Sequence, residues 1–213
     1  MTAPRRARTW WVASRRTPAW NLPRLLLQGD LLELKGEELA LDEQGLVELL
    51  AALQVNLADD VRQALLHSSE GWLAAIRLLL LDADEEALRQ RLQAGCPLLR
   101  DYVQREVLAD LDDELRSDLH ALALLPRFAL SLCEHLLEGR GAELLSELQR
   151  RQLFVRSLDS SGTWFRLWRP LANVLRSLPS GPMPAPIHVR ACQWFARHGD
   201  IREAVEHALQ AGQ

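Results

Sequence analysis

The sequence predicts a mainly α-helical protein that carries one β-hairpin. Three observations predict it. Leucine supplies 46 of the 213 residues, and a chain rich in leucine and alanine favours helix. In segment after segment the apolar residues recur at i, i+3, i+4 and i+7, the spacing of a helix with one buried face. One stretch, residues 154–168, departs from that period into alternation around Asp159-Ser160-Ser161-Gly162, the composition of a hairpin turn.

The elements follow in order. Residues 1–24 hold six arginines and no acid, with one short apolar run, Trp10-Trp11-Val12-Ala13. That run reads as a buried strand, after which Pro18 and Pro23 break the chain. Leu31-Leu32-Glu33-Leu34 is a second strand candidate. Asp42 is an N-cap for a helix running to about Leu53, although Gly45 inside it costs ~1 kcal/mol against alanine. A helix over 57–66 presents Val61, Leu65 and Leu66 on one face, and Ser68-Ser69-Glu70-Gly71 breaks it. Residues 72–81 are apolar almost all round, which requires burial between neighbours. Asp84 caps a helix to Ala94 that Gly95 stops, and Pro97 opens the next. Two further helices, 98–108 and 114–125, flank Asp110-Leu111-Asp112-Asp113, whose acids suit the positive end of the second. Short helices over 131–137 and 141–151 precede the hairpin strands, 154–158 and 163–168. Three helices followed by a hairpin is the order of a winged helix, here about 112–168. A helix over 171–178 leads to the proline-rich stretch 179–186, the clearest linker in the chain. Beyond it, 187–198 and 201–211 form a helical pair like one unit of a helical repeat. One unit cannot bury both of its faces, so something should stack on it.

Composition excludes several functions. At ~100–200 residues per domain the chain makes one large domain or two small ones. Its 25 basic and 29 acidic residues give a formal charge of −4, with no overall footprint for nucleic acid. Cys96, Cys133 and Cys192 are scattered and form no CxxC pair, so neither a disulfide framework nor a zinc knuckle is expected, and a reducing, cytoplasmic setting is. The single lysine, Lys35, precedes Gly36, so the chain contains no Gly-x-x-x-x-Gly-Lys-Ser/Thr loop. No apolar stretch approaches the ~20 residues of a membrane span. The arginine-rich start has no apolar core before Arg15, which argues against a signal peptide. No histidine pair has zincin spacing, and Cys133-Glu134-His135 are helix neighbours that point in different directions. The candidate DNA-reading helix, 142–151, puts Glu143 and Glu147 on its first turns, where they would repel a phosphate backbone. The winged helix is therefore read as structural or regulatory.

Four stretches carry a resemblance to a known family. They are Val12-Ala13-Ser14-Arg15-Arg16-Thr17-Pro18 with Leu22-Pro23-Arg24-Leu25; Gly29-Asp30-Leu31-Leu32-Glu33-Leu34 leading to Leu39-Ala40-Leu41-Asp42-Glu43; Ser69-Glu70-Gly71-Trp72 with Ile76-Arg77-Leu78; and Trp194-Phe195-Ala196-Arg197-His198-Gly199-Asp200 with Glu203-Ala204-Val205-Glu206-His207-Ala208-Leu209. In this order they resemble the middle of the MalT-like, LuxR-type branch of STAND ATPase regulators. The resemblance implies an ATPase-core edge (1–41), a helical lid (42–110), a winged helix (111–178) and the first pair of a TPR-like arm (179–213). Members of this family bind ATP or ADP between core, lid and winged helix, then self-associate and activate transcription. By resemblance the nucleotide-contact candidates are Arg15, Glu70, Gly71, Trp72, Trp168 and Arg169. Trp168 stands where the family has a phosphate-reading histidine, and an indole offers one neutral donor with no charge switch. From the residues alone, Arg15 and Arg16 are either phosphate contacts or a solvated basic loop, and without a P-loop the second is preferred. Glu70-Gly71-Trp72 is either a nucleotide edge or a helix break whose tryptophan packs inside, and packing is preferred.

The resulting expectation is a non-catalytic segment of a MalT-like regulator that gates nucleotide state and protein contacts, with no cofactor of its own. Phosphoryl transfer needs a P-loop and Walker-B carboxylates that the resemblance does not place in these residues. Its partners would be another protein or a second copy, with no direct DNA or membrane contact. The alternative is a stand-alone protein-interaction module that has lost nucleotide binding.

Overall fold

The computed structural model describes residues 9–14, 18–34, 36, 38–150, 155–178 and 184–212. Among them are twelve α-helices and a three-stranded antiparallel sheet, so the protein is mainly α-helical with a small β component, as its composition predicts.

The first helix was not anticipated. α1 (Leu22–Gln28) is capped by the Asn21 side chain, which accepts from the Arg24 N–H at 3.2 Å, and is closed by Gly29 in the left-handed region. Pro23 lies in its first turn, where a missing N–H leaves no bond unmade, so it begins a helix instead of breaking the chain. The strands expected at Trp10–Ala13 and Leu31–Leu34 are absent: these residues carry no ladder pairing and most of their side chains are exposed. A short apolar run becomes a strand only beside another strand, and among the described residues none adjoins them.

Five helices then form a bundle: α2 (Glu43–Ala52), α3 (Asp59–Ser69), α4 (Leu73–Leu80), α5 (Glu85–Ala94) and α6 (Pro97–Tyr102). Asp42 and Asp84 cap α2 and α5 as expected, each accepting a first-turn N–H at 2.8 Å. α3 has no such cap; its leading N–H, from Ala58, is taken instead by the Glu85 carboxylate of α5 at 2.8 Å. Arg89 on α5 pairs with Asp60 on α3 at 2.6 Å. Leu46, Val61, Leu65, Ile76, Leu88 and Val103 fill the bundle interior. α3 continues through Ser68 and Ser69, where a break was expected, and ends only at Glu70. The helix expected over 98–108 is two pieces, α6 and a π-helical turn, Val103–Val107, closed by the Leu108 N–H on the Val103 carbonyl at 3.0 Å. The wider turn leaves both Val103 and Leu108 buried.

The winged helix comprises α7 (Asp113–Ala123), β1 (Phe128–Ala129), α8 (Leu130–Leu136), α9 (Gly141–Arg150), β2 (Val155–Ser157) and β3 (Trp164–Leu167). The strand order is β1-β3-β2, with Val155 opposite Leu167 and Phe128 opposite Phe165. β1, two residues long, was not foreseen, because so short a strand shows no alternation. α8 and α9 meet closely at Gly141, where a β-carbon would lie 2.5 Å from the Glu134 nitrogen. Arg140 grips Asp118 with two hydrogen bonds of 3.0 Å. Burial nevertheless holds the Asp118 carboxyl above its ordinary range.

α10 (Arg169–Ser177) begins ahead of the expected 171 because Pro170 suits a first turn, and it packs on both α7 and α3. It is the joint between bundle and winged helix. α11 (Pro184–Arg197) starts inside the stretch read as a linker, with Pro184 opening it; residues 179–183 lie outside the described residues. α12 (Ile201–Gln210) pairs with α11. This pair is fastened to the winged helix by Arg190, which donates to the Leu136 carbonyl at 2.8 Å, and by Arg127, which pairs with Asp200. Between α11 and α12 the buried His188 and His207 share a hydrogen bond, Nδ1 to Nδ1, of 2.8 Å.

Candidate functional site

The end of α3 determines the geometry of the site. Glu70 and Gly71 both adopt left-handed backbone, φ +50° and +76°, and reverse the chain between α3 and α4. The Glu70 N–H closes α3 on the Leu66 carbonyl at 2.8 Å, and the Trp72 N–H returns to the Ser69 carbonyl at 3.0 Å. Left-handed backbone is strained for glutamate and free for glycine. Gly71 has a second constraint. Its carbonyl accepts the Leu41 N–H at 2.9 Å, and a β-carbon there would stand 2.2 Å from the Leu41 oxygen. No other residue fits while the segment leading into α2 crosses it.

That reversal aims Glu70 inward. Its side chain is 5% exposed, and Oε1 lies 2.5 Å from Nη1 of Arg166 on β3 and 3.5 Å from Nε of Arg169 at the start of α10. Neither carboxylate oxygen has an aligned hydrogen bond among the described residues. The charge is held by proximity to two guanidinium groups rather than by a formed bidentate bond. Arg169 also reaches the His67 ring on α3 at 2.7 Å. One carboxylate on the bundle thus faces one cation of the winged helix, Arg166 on β3, and one of the joint helix α10, Arg169.

Aromatic rings close the same junction. Trp72 meets Trp168 with centroids 6.3 Å apart and planes tilted by 57°, and meets Tyr102 at 5.9 Å. Trp168 is buried, carries the Arg156 guanidinium 5.4 Å from its ring centroid, and approaches Gly36. Inclined ring pairs at such distances are favourable beyond the area they bury.

Five of the six candidate residues therefore come together: Glu70, Gly71, Trp72, Trp168 and Arg169 form one cluster. Arg15 lies outside the described residues. Arg166, His67 and Tyr102 were missed. Arg166 lies two residues before the candidate Trp168, and the need of a buried carboxylate for a cation was the signal that could have found it. His67 and Tyr102 left no sequence signal, since their place depends on how α3 and α6 pack. Among the described residues no group of three metal-ligating side chains converges.

Residues 104–184 match the MalT winged helix domain. The likeness extends beyond that domain. The chain is 30% identical over 211 residues to the HTH-type transcriptional regulator MalT of Yersinia enterocolitica, covering 93% of this chain and 23% of that protein. MalT of Yersinia pestis is 29% identical over 215 residues, 94% of this chain and 24% of its own length. The chain is thus similar to part of MalT over most of its own length. It is also 32% identical over 200 residues to the serine/threonine-protein kinase PknK of Mycobacterium tuberculosis, covering 89% of this chain and 18% of the kinase. The chain spans about a fifth to a quarter of the length of the curated relatives it matches. Among the described residues no helix is long and apolar enough to cross a membrane.

Proposed function

We propose that this MalT-like chain is a non-catalytic, cytoplasmic coupling segment of a signal-responsive transcriptional regulator. In it the helical bundle acts as a lid, and the winged helix follows the lid's position. The observation that carries this reading is the Glu70–Arg166–Arg169 cluster, which joins the two units through one buried charge. An uncompensated buried charge is costly, so the lid and the winged helix favour being docked together. Anything that drew an arginine away from Glu70, such as the phosphates of ATP or ADP presented by an ATPase core, would loosen the junction. That is a two-state element of the kind an allosteric signal requires. Trp168 contributes packing here in place of a titrating histidine, so charge exchange falls to Arg166 and Arg169.

The segment works by protein contact or self-association rather than by reading DNA. Glu143 and Glu147 on α9 support this, since Arg150 is itself tied to Glu147 at 2.6 Å. The test has two arms. Purified chain mixed with ATP should release no phosphate; release that scales with protein concentration and survives Arg15→Ala would overturn the non-catalytic reading. In the native host, Glu70→Gln should change the inducer dependence of target transcription at equal protein abundance. Unchanged regulation would overturn gating through this junction.

A further inference from the structure

A second feature of α10 borders the cluster just described without sharing a residue with it: Ser68 and Pro170 line it, next in the chain to His67 and Arg169. A cleft of about 450 Å³ runs between α10 and the turn joining α5 to α6. The charged side chains that line it are Arg91, Arg100 and Arg176, with no carboxylate among its lining residues; Ser68, Asn173 and Ser177 add neutral donors and acceptors. Three cations thus line one partly enclosed space whose lining holds no anion, although Arg176 also borders a neighbouring cavity that carries Glu203 and Glu206.

The bonding of these arginines differs from that of most others in the chain. Arg89, Arg127, Arg140, Arg150, Arg166 and Arg190 each pair with a carboxylate. In the cleft the acceptors are neutral. Arg91 donates to the Leu79 and Leu81 carbonyls at 2.9 and 2.7 Å, and Arg176 to the Ala123 carbonyl and Asn173 Oδ1 at 3.1 and 2.5 Å. Arg100 is half-buried, lies near Gly95, and has no side-chain partner among the described residues. Arg176 is exposed as a residue, and desolvation of its guanidinium holds it below its ordinary value.

We infer that this cleft is an anion site for a small molecule bearing a phosphoryl group. Guanidinium forks match the paired oxygens of a phosphoryl group, and the surrounding hydroxyl and amide groups complete its hydrogen bonding. The cavity is larger than a free phosphate needs, so the ligand carries a further body alongside its charged end. Because one wall is α10 and the other belongs to the bundle, an occupant would brace the joint from a side independent of Glu70. The inference does not rest on the proposed coupling role.

The probe is inorganic pyrophosphate, titrated calorimetrically into the full chain at constant ionic strength set with chloride. Saturable binding at one site per chain is expected, with a rise in thermal midpoint. Arg100→Ala, which removes a side chain with no internal partner, should weaken binding about tenfold to a hundredfold while leaving the circular dichroism spectrum unchanged. Arg176→Gln should do the same, and it provides the second variant if the first fails to fold. Absence of saturation up to millimolar pyrophosphate, or binding that both variants retain, would overturn the site. A glutamate-rich peptide that displaced pyrophosphate and bound more tightly would overturn the phosphoryl assignment.

Discussion

Residues 9–34 and residues 42–178 are equally rich in large apolar side chains but bury them very differently. In the first region Trp10, Trp11, Leu27 and Leu32 are 79–90% exposed, and α1 buries nothing. In the second, Leu46, Leu65, Ile76, Leu119 and Leu132 are completely enclosed. Yet α1 is well formed locally, with a side-chain cap, a proline in its first turn and a left-handed closing glycine. Local signals are therefore sufficient to start and stop a helix but do not bury it. Burial requires neighbours of matching shape, and bundle and winged helix supply these to each other through α10.

The comparison can be broken by substitution. Leu119→Ala, inside the winged helix, should cost about 2–5 kcal/mol, read as a lower urea midpoint at unchanged slope. A cost under ~1 kcal/mol would mean that this core is loosely packed. At the junction, Arg166→Ala leaves Glu70 with only the more distant Arg169 and should cost about 3 kcal/mol. Glu70→Gln removes the buried carboxylate and leaves Arg166 and Arg169, both more exposed than Glu70, without it, so it should cost less; a loss of the same size would place the effect in shape instead of electrostatics.

Acidification sharpens the contrast through buried histidines, of which His207 in the α11–α12 pair is the most strongly shifted, while His188 and, in the winged helix, His120 act in the same sense. Burial and the neighbouring His188 push His207 down to about 4 from 6.5. Below 6.5 the unfolded chain takes up a proton that the folded chain refuses, so stability present at neutral pH falls as the pH drops toward 4. The loss attributable to His207 is roughly 3 kcal/mol at 1.36 kcal/mol per unit. Asp118 and Glu203, whose carboxyls burial raises, act in the opposite sense. The measurement is accordingly the difference between the parent and His207→Asn across pH 7 to 4, and a constant difference would refute it. The smallest effect belongs to the exposed region: Leu27→Ala, at a side chain 90% exposed, should change the unfolding free energy from urea titration by no more than ~0.5 kcal/mol.

Much of the fold was legible because its signals are local. Asp42 and Asp84 announce helices, the alternation after Val155 announces the hairpin, and the order of elements announces a winged helix. What failed was non-local. Trp10–Ala13 and Leu31–Leu34 have strand composition, but a strand is a pairing, and pairing cannot be read from one segment. Pro23 was misread because the same residue ends one element or opens another, and Asn21 with Gly29 decides which. At the candidate site, Glu70, Gly71, Trp72, Trp168 and Arg169 were found through family resemblance. Arg166 was not, because only the packing of α10 on α3 brings β3 within reach of the α3 terminus.

α10 is short, and it is held at one end by Arg169 against Glu70 while its middle borders the arginine-lined cleft. A rigid rod fixed at one point and loaded at another converts a push at either place into a turn at the other. The winged helix would then pivot as a body without any rearrangement of its own interior, and those two places on α10 would be where such a pivot could be locked or released.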